Sequence, residues 1–260
     1  MFSARVSTAA AALALLAGPG CAAPGADAEQ SGRDAASGAA SPTLVRDYVT
    51  ALAAASDPDR MREGLDLAED GSTAHDYLRH YATLFQAWQD EGAPVRDSDV
   101  RSTPETHELC RTEEPAGEPS CVVYEDFTED DERLVDLRVN GVDPGPRMSS
   151  ADGGTDDSEG VRATFLSAYR TIDDNTLVVT ADLTTVDEAG LDLDGATYVP
   201  DGSGDGRPAS LAAGRHQLDA GSGTLAAFYF PRAEPGGELH LEGCLTDCSS
   251  TVELKLPVPD

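Results

Sequence analysis

Apolar positions recur at helical spacing early in the chain and alternate, or run together, later on. Leu44, Val45, Tyr48, Val49 and Leu52 share one helix face. Ser41-Pro42 in front of them supplies an N-cap hydroxyl and a proline at the first helical position. A second, short helix is predicted after Asp57-Pro58, using Met61, Leu65 and Leu67, and Asp70-Gly71 ends it. A third starts near Thr73, with Asp76 completing a capping box, and carries the stripe Tyr77, Leu78, Tyr81, Leu84, Phe85, Trp88. The period then drops to two. Strands are predicted over 100–111, 120–127 and 133–139, with Asn140-Gly141 as a turn.

Further strands are predicted at 161–171, 176–186, 196–200, 216–218, 224–231, 238–242 and 251–256, with turn residues every ten or so positions. Such spacing predicts an antiparallel β-sandwich. Between the two regions lies an acidic, Gly-rich stretch, SSADGGTDDSEG. The expected fold class is therefore α+β: three helices packed on a small antiparallel sheet, followed by an all-β, immunoglobulin-like sandwich. The expected boundaries are a signal peptide over 1–20, a lipidated cysteine and linker over 21–41, the α+β region over 42–147, an acidic linker over 148–159 and the sandwich over 160–260.

The N-terminus changes the picture. Residues 6–17 (VSTAAAALALLA) have the length of a signal-peptide core and are too short to span a bilayer. Small or helix-breaking residues, Gly18, Pro19 and Gly20, lead into Cys21. The segment reads as a bacterial lipoprotein signal with lipid on Cys21, although Gly18 and Pro19 hold the first two lipobox places, where the usual pattern has leucine and then a small residue. Ala26-Asp27-Ala28 offers ordinary signal peptidase an alternative site, which would release a secreted protein. Cysteine arithmetic favours lipidation: Cys110 pairs with Cys121 and Cys244 with Cys248, which leaves Cys21 over.

Charge supports the same reading. The chain carries 48 acidic against 18 basic residues, a net charge of -30. That excludes nucleic acid as a partner and opposes electrostatic docking on anionic lipid. A diacylglyceryl cysteine would supply the two chains that stable anchoring requires. The expected location is the outer face of the cytoplasmic membrane.

Several residue groups suggest chemistry. Cys110 and Cys121 flank the loop RTEEPAGEPS between two predicted strands and read as a hairpin disulfide. His240, Cys244 and Cys248 have a spacing that could suit zinc, with Asp247 as the nearby fourth ligand, but a Cys244–Cys248 disulfide is simpler outside the cell. Asp201, Ser203, Asp205 and Gly206 match half a calcium loop, but Ala212 stands where the closing carboxylate is needed. Asp192-Leu193-Asp194-Gly195 invites the same question. His75, Asp76 and His80 on the third helix, and His107 in a strand, are the acid/base candidates. No catalytic assignment, metal or cofactor follows from these patterns. There is no G-x-S-x-G, H-E-x-x-H, P-loop or dinucleotide fingerprint.

The order of helices and strands over 42–147 resembles nuclear-transport-factor-2-like and polyketide-cyclase-like domains, whose curved sheet wraps helices around a pocket. As a whole, the chain resembles a family of uncharacterised actinobacterial lipoproteins. Cys21, CVVYEDF followed by LVDLRVNG, and FYFPRAEPGGELHLEG carry that resemblance. It implies location and architecture and brings no active site. The expected function is a membrane-anchored, non-enzymatic binding or envelope-associated module with a protein or wall partner. The alternative is a small-molecule-binding protein or acid/base enzyme that uses the pocket of the α+β region.

Overall fold

The computed structural model describes residues 38–111, 119–150 and 154–260. The predicted signal peptide, Cys21 and nearly all of the expected linker lie outside the described residues. From Ala35 onward the contacts gather into one compact unit.

Helix α1 (Pro42–Ala53) starts as expected, with the Ser41 hydroxyl accepting from the Leu44 amide at 3.4 Å. Helix α2 (Pro58–Glu63) is capped by Asp57 and runs into a 3-10 turn over Gly64–Leu67. Gly64 is required there because a Cβ would lie 2.4 Å from the Cβ of Ala51 on α1. Helix α3 (Thr73–Glu91) is capped by Ser72, whose hydroxyl accepts from the His75 amide at 3.2 Å. The predicted cap was one residue late. With Ser72 as N-cap, Asp76 falls one place beyond the capping-box position and makes other bonds. Gly92, at a φ of 89°, ends the helix in the left-handed conformation that favours glycine.

The first sheet holds β1 (Gly38–Ala39), β2 (Asp99–Ser102), β3 (Thr106–Arg111), β4 (Ser120–Asp130) and β5 (Arg133–Val139). All pairings are antiparallel, in the order β1-β4-β3-β2, with β5 also on β4. Gly38 and Ala39 were expected in the linker. They instead pair with Glu129 and Thr128, because β4 runs past β3 and offers its free edge.

Eleven further strands follow: β6 (Met148–Ser149), β7 (Thr155–Ser158), β8 (Val161–Arg170), β9 (Thr176–Thr185), β10 (Ala189–Pro200), β11 (Arg207–Pro208), β12 (Leu211–Ala213), β13 (Gln217–Leu218), β14 (Gly223–Pro231), β15 (Gly237–Leu245) and β16 (Thr251–Val258). One sheet runs β12-β14-β9-β8-β6, with β7 on β8, and the other runs β11-β10-β15-β16, with β13 on β10. The two sheets share a core that includes Phe165, Leu177, Phe228, Phe230, Leu241 and Leu254. Part of the expected 148–159 linker is therefore β structure. The Asp156 carboxylate and Ser158 hydroxyl of β7 accept from the backbone amides of Lys255 and Glu253, so polar side chains cover the outer edge of β16.

Strand β10 also begins earlier than predicted. Asp192 and Asp194, weighed as half of a calcium loop, lie inside it, at a bulge where Asp192 accepts from the Gly195 amide at 3.0 Å.

Helix α3 joins the layers. Its Tyr77, Leu78 and Phe85 enter the core beneath the first sheet, together with Tyr48, Met61, Tyr124 and Leu137. Leu84 and Ala87 face the other way, onto Val178, Ala213 and Ala227 of the second sheet. This explains why β9 and β14 read as nearly continuous apolar runs, since both of their faces are covered. Polar bonds fix the helix along its length. Ser150 donates to Asp76 near the N-terminus, and the Trp88 indole donates to the Tyr229 hydroxyl at 3.1 Å. Near the C-terminus, Asp90 accepts from the Leu225 amide at 3.1 Å.

Candidate functional site

The main concavity lies between α3 and the inner face of the first sheet. An outer cavity of about 550 Å3 is lined by Phe85, Trp88, Pro94, Val95, Asp97 and Arg111, among others. An inner cavity of about 240 Å3 is lined by Leu52, Tyr81, Leu109, Val122 and Tyr124. Phe85 and Arg111 line both. Each volume is of the order of a small-ligand site, typically about 300–1,000 Å3.

The sequence places these residues in a simple way. Tyr77, Tyr81, Phe85 and Trp88 follow one another on α3 at spacings of four, four and three, hence on one face. On β3 the period of two puts His107, Leu109 and Arg111 on the same face, and Leu109 is in the core beneath the sheet. Arg111 therefore continues an inward-facing row at the strand end. Its guanidinium carbon stands 4.6 Å above the Phe85 ring centroid, and its Nε donates to the Ser98 hydroxyl at 2.9 Å.

The floor is phenolic. The Tyr77 and Tyr124 hydroxyls lie 3.4 Å apart, and the Tyr77 and Tyr81 rings pack at a tilt of 48° with centroids 4.8 Å apart. Burial first, and neighbouring phenols second, hold Tyr124 and Tyr77 well above the usual tyrosine range. Tyr81 is also raised, chiefly by burial, and the nearby Arg111 charge only partly offsets this. All three are neutral hydroxyls at ordinary pH.

The histidines weighed as acid/base groups are dispersed. His75 bridges the carboxylates of Asp76, at 3.3 Å, and Asp70, at 3.5 Å. Asp76 is also held by Arg79 at 2.9 Å and by Ser150, so it acts as a structural hub. His80 is fully buried where α3 meets β8, with Nδ1 2.8 Å from the Ser167 hydroxyl and its ring 5.6 Å from that of Tyr81. Burial, reinforced by the Arg79 charge, lowers its pKa to about 3.

The surrounding bonds fix the His80 tautomer. The Thr180 hydroxyl donates to the Ser167 carbonyl, so it accepts from the Ser167 hydroxyl, which in turn accepts from Nδ1–H of His80. Nε2 carries the lone pair and has no partner among the described residues.

His107 lines a separate cavity of about 440 Å3 with Asp126, Glu105 and Phe127. Its Nδ1 is 2.8 Å from the Ser102 hydroxyl, burial lowers its pKa, and Asp126 pairs with Arg138 at 3.4 Å.

Both expected disulfides are present. Cys110–Cys121 ties β3 to β4, and Cys244–Cys248 closes the turn after β15. The zinc alternative is thereby excluded for Cys244 and Cys248, and His240 instead pairs with Glu238 at 3.0 Å. Glu108 lies beside the Cys110–Cys121 pair, but sulfurs joined to each other offer no thiolate to a metal. At 201–205 the Ser203 hydroxyl accepts from the Asp205 amide at 3.2 Å, which accounts for the turn by itself.

Comparison with family models, curated proteins and solved structures finds no match to this chain. No helix among the described residues is long and apolar enough to cross a membrane. Sequence patterning identified the α3 stripe as apolar without assigning its residues to a cavity, and it missed Arg111 entirely. The available signal was a charge two places beyond Leu109 on the same strand face.

Proposed function

We propose that this protein is a membrane-anchored, extracytoplasmic binding module that holds a small, largely apolar ligand between α3 and the first sheet. One observation carries the binding part: two adjoining cavities meet at Phe85 and Arg111, with aromatic and aliphatic walls and a few polar groups. Binding ranks above catalysis because the titratable residues at these cavities are arginines, aspartates and neutral phenols, while His75, His80 and His107 lie elsewhere.

Anchoring rests on the sequence: the short apolar segment before Cys21, the unpaired count of that cysteine, and a charge of -30 that opposes docking on anionic lipid. The two C-terminal sheets enclosing one core support the immunoglobulin-like reading of 160–260, as an attachment surface for an envelope or wall partner. The helices and curved sheet of 42–147 support the nuclear-transport-factor-2-like reading through their order alone.

Trp88 is the only tryptophan of the chain and lines the outer cavity, so its emission reports occupancy. Titrating the soluble Cys21→Ala protein with 4-phenylbutan-1-ol should shift that emission to shorter wavelength and saturate. Val95→Phe, which narrows the outer cavity, should weaken the effect by about tenfold. A linear, unsaturable response that is the same in both proteins would refute a binding site there.

A further inference from the structure

Resting on that binding reading, we infer that the ligand is an apolar monocarboxylate whose carboxylate sits on Arg111, where the two cavities meet. The inner face of the first sheet is apolar where it meets α3, with Leu109, Val122, Tyr124 and Leu137 against the helix. Arg111 continues that face at the end of β3. The Arg111 side chain stays exposed at the mouth of the two cavities, where a ligand can reach its guanidinium from solvent.

What meets it in the protein is only partial. The Phe85 ring lies beneath the guanidinium, and Ser98 takes the Nε hydrogen. Among the described residues, neither Nη group has a hydrogen-bond partner. That leaves a planar fork of donors at the junction of the cavities, suited to two carboxylate oxygens.

The remaining polar groups narrow the choice. Tyr81 and Tyr124, which line the inner cavity, are neutral phenols and add no competing charge. Asp97 and Asp99 line the outer cavity. Asp97 is already committed to the Ser56 amide and hydroxyl, both at 2.8 Å. Arg96 lines the outer cavity too, so its two arginines and two aspartates balance, and it is the net charge of -30 that disfavours a second negative charge on the ligand. A single anionic head is matched by Arg111, whereas a dianionic phosphate is opposed. The apolar body then lies along Phe85, Trp88, Pro94 and Val95.

The experiment compares three probes that share one apolar body: 4-phenylbutyrate, 4-phenylbutan-1-ol and 4-phenylbutylamine. Each is titrated into the Cys21→Ala protein and followed through Trp88. The acid should bind about ten- to a hundredfold more tightly than the alcohol, as expected for a charge-assisted pair, and the amine most weakly. In Arg111→Met the preference for the acid over the alcohol should vanish, with the ratio of their affinities falling to about one. Arg111→Lys should keep part of the preference.

If acid and alcohol bind wild type equally, or the amine binds best, the carboxylate assignment is wrong while the pocket stands. If none of the three perturbs Trp88, the pocket reading fails as well. The wild-type series decides the matter even if an Arg111 variant folds poorly.

Discussion

Acidifying the protein from pH 6.5 to about pH 4.5 should weaken its fold by about 2 kcal/mol through His80 alone. The folded pKa of this histidine is depressed to about 3 from an unfolded value of 6.5. The folded state therefore refuses a proton that the unfolded chain accepts. The contribution is fully present above pH 6.5 and is lost as the pH falls toward 3, at about 1.4 kcal/mol per unit.

The cause is local. Nδ1 already spends its hydrogen on Ser167, and Nε2 has no acceptor beside it to receive a new one. The Tyr81 and Tyr169 rings pack edge-on against the imidazole, with centroids 5.6 and 5.7 Å away. Other groups also titrate in this window, so the readout is a difference. Urea unfolding of wild type and His80→Gln should give midpoints that diverge as pH changes, with wild type losing more on acidification. Parallel curves would mean that His80 is protonated in the fold without penalty.

Replacing Cys21 with alanine should move essentially all of the protein from the membrane fraction to the medium. A single acyl chain binds membranes only marginally, at about 0.8 kcal/mol per buried methylene, and a two-chain cysteine makes the attachment stable. No helix among the described residues is long and apolar enough to replace it. The net charge of -30 is repelled by anionic lipid, and the single lysine, Lys255, cannot form a basic patch. Cell fractionation and immunoblotting give the answer. A Cys21→Ala protein that still sediments with membranes would show that another element holds it there. If the wild type is itself secreted, the Ala26-Asp27-Ala28 site is the one that is cut.

Much of the architecture was readable from the chain because it depends on short-range rules. Ser41-Pro42 and Asp57-Pro58 start helices as their capping chemistry predicts. Asn140-Gly141 takes the positive φ values of a turn. The aromatic stripe of α3 and the long strands at 161, 176, 223 and 251 begin within a residue of where their periodicity places them. What escaped depended on distant partners. Gly38–Ala39 and Thr155–Ser158 carry little apolar signal and become strands only because β4 and β8 offer them an edge. Ser72 outcompeted Thr73 as a cap, because which of two adjacent hydroxyls faces the third amide is a matter of backbone geometry.

The site divided in the same way. Tyr81, Phe85 and Trp88 were visible as an apolar face, but a face that lines a cavity and one that fills a core have the same period. Arg111 was hidden because it is, like most polar residues at strand ends, exposed, and only Phe85 of the helix packed opposite brings it to the cavities. The histidines drew attention through their chemistry, yet His75, His80 and His107 ended in three different surroundings.

The decisive property of this protein is whether the space between α3 and the first sheet holds a ligand. Native mass spectrometry of the protein released gently from its own cell envelope tests this directly. The account predicts a mass above that of the lipidated chain by one small molecule per protein, shed on denaturation and absent or much reduced in Val95→Phe. A wild-type mass equal to that of the bare lipidated chain, or an adduct that persists unchanged in Val95→Phe, would contradict it.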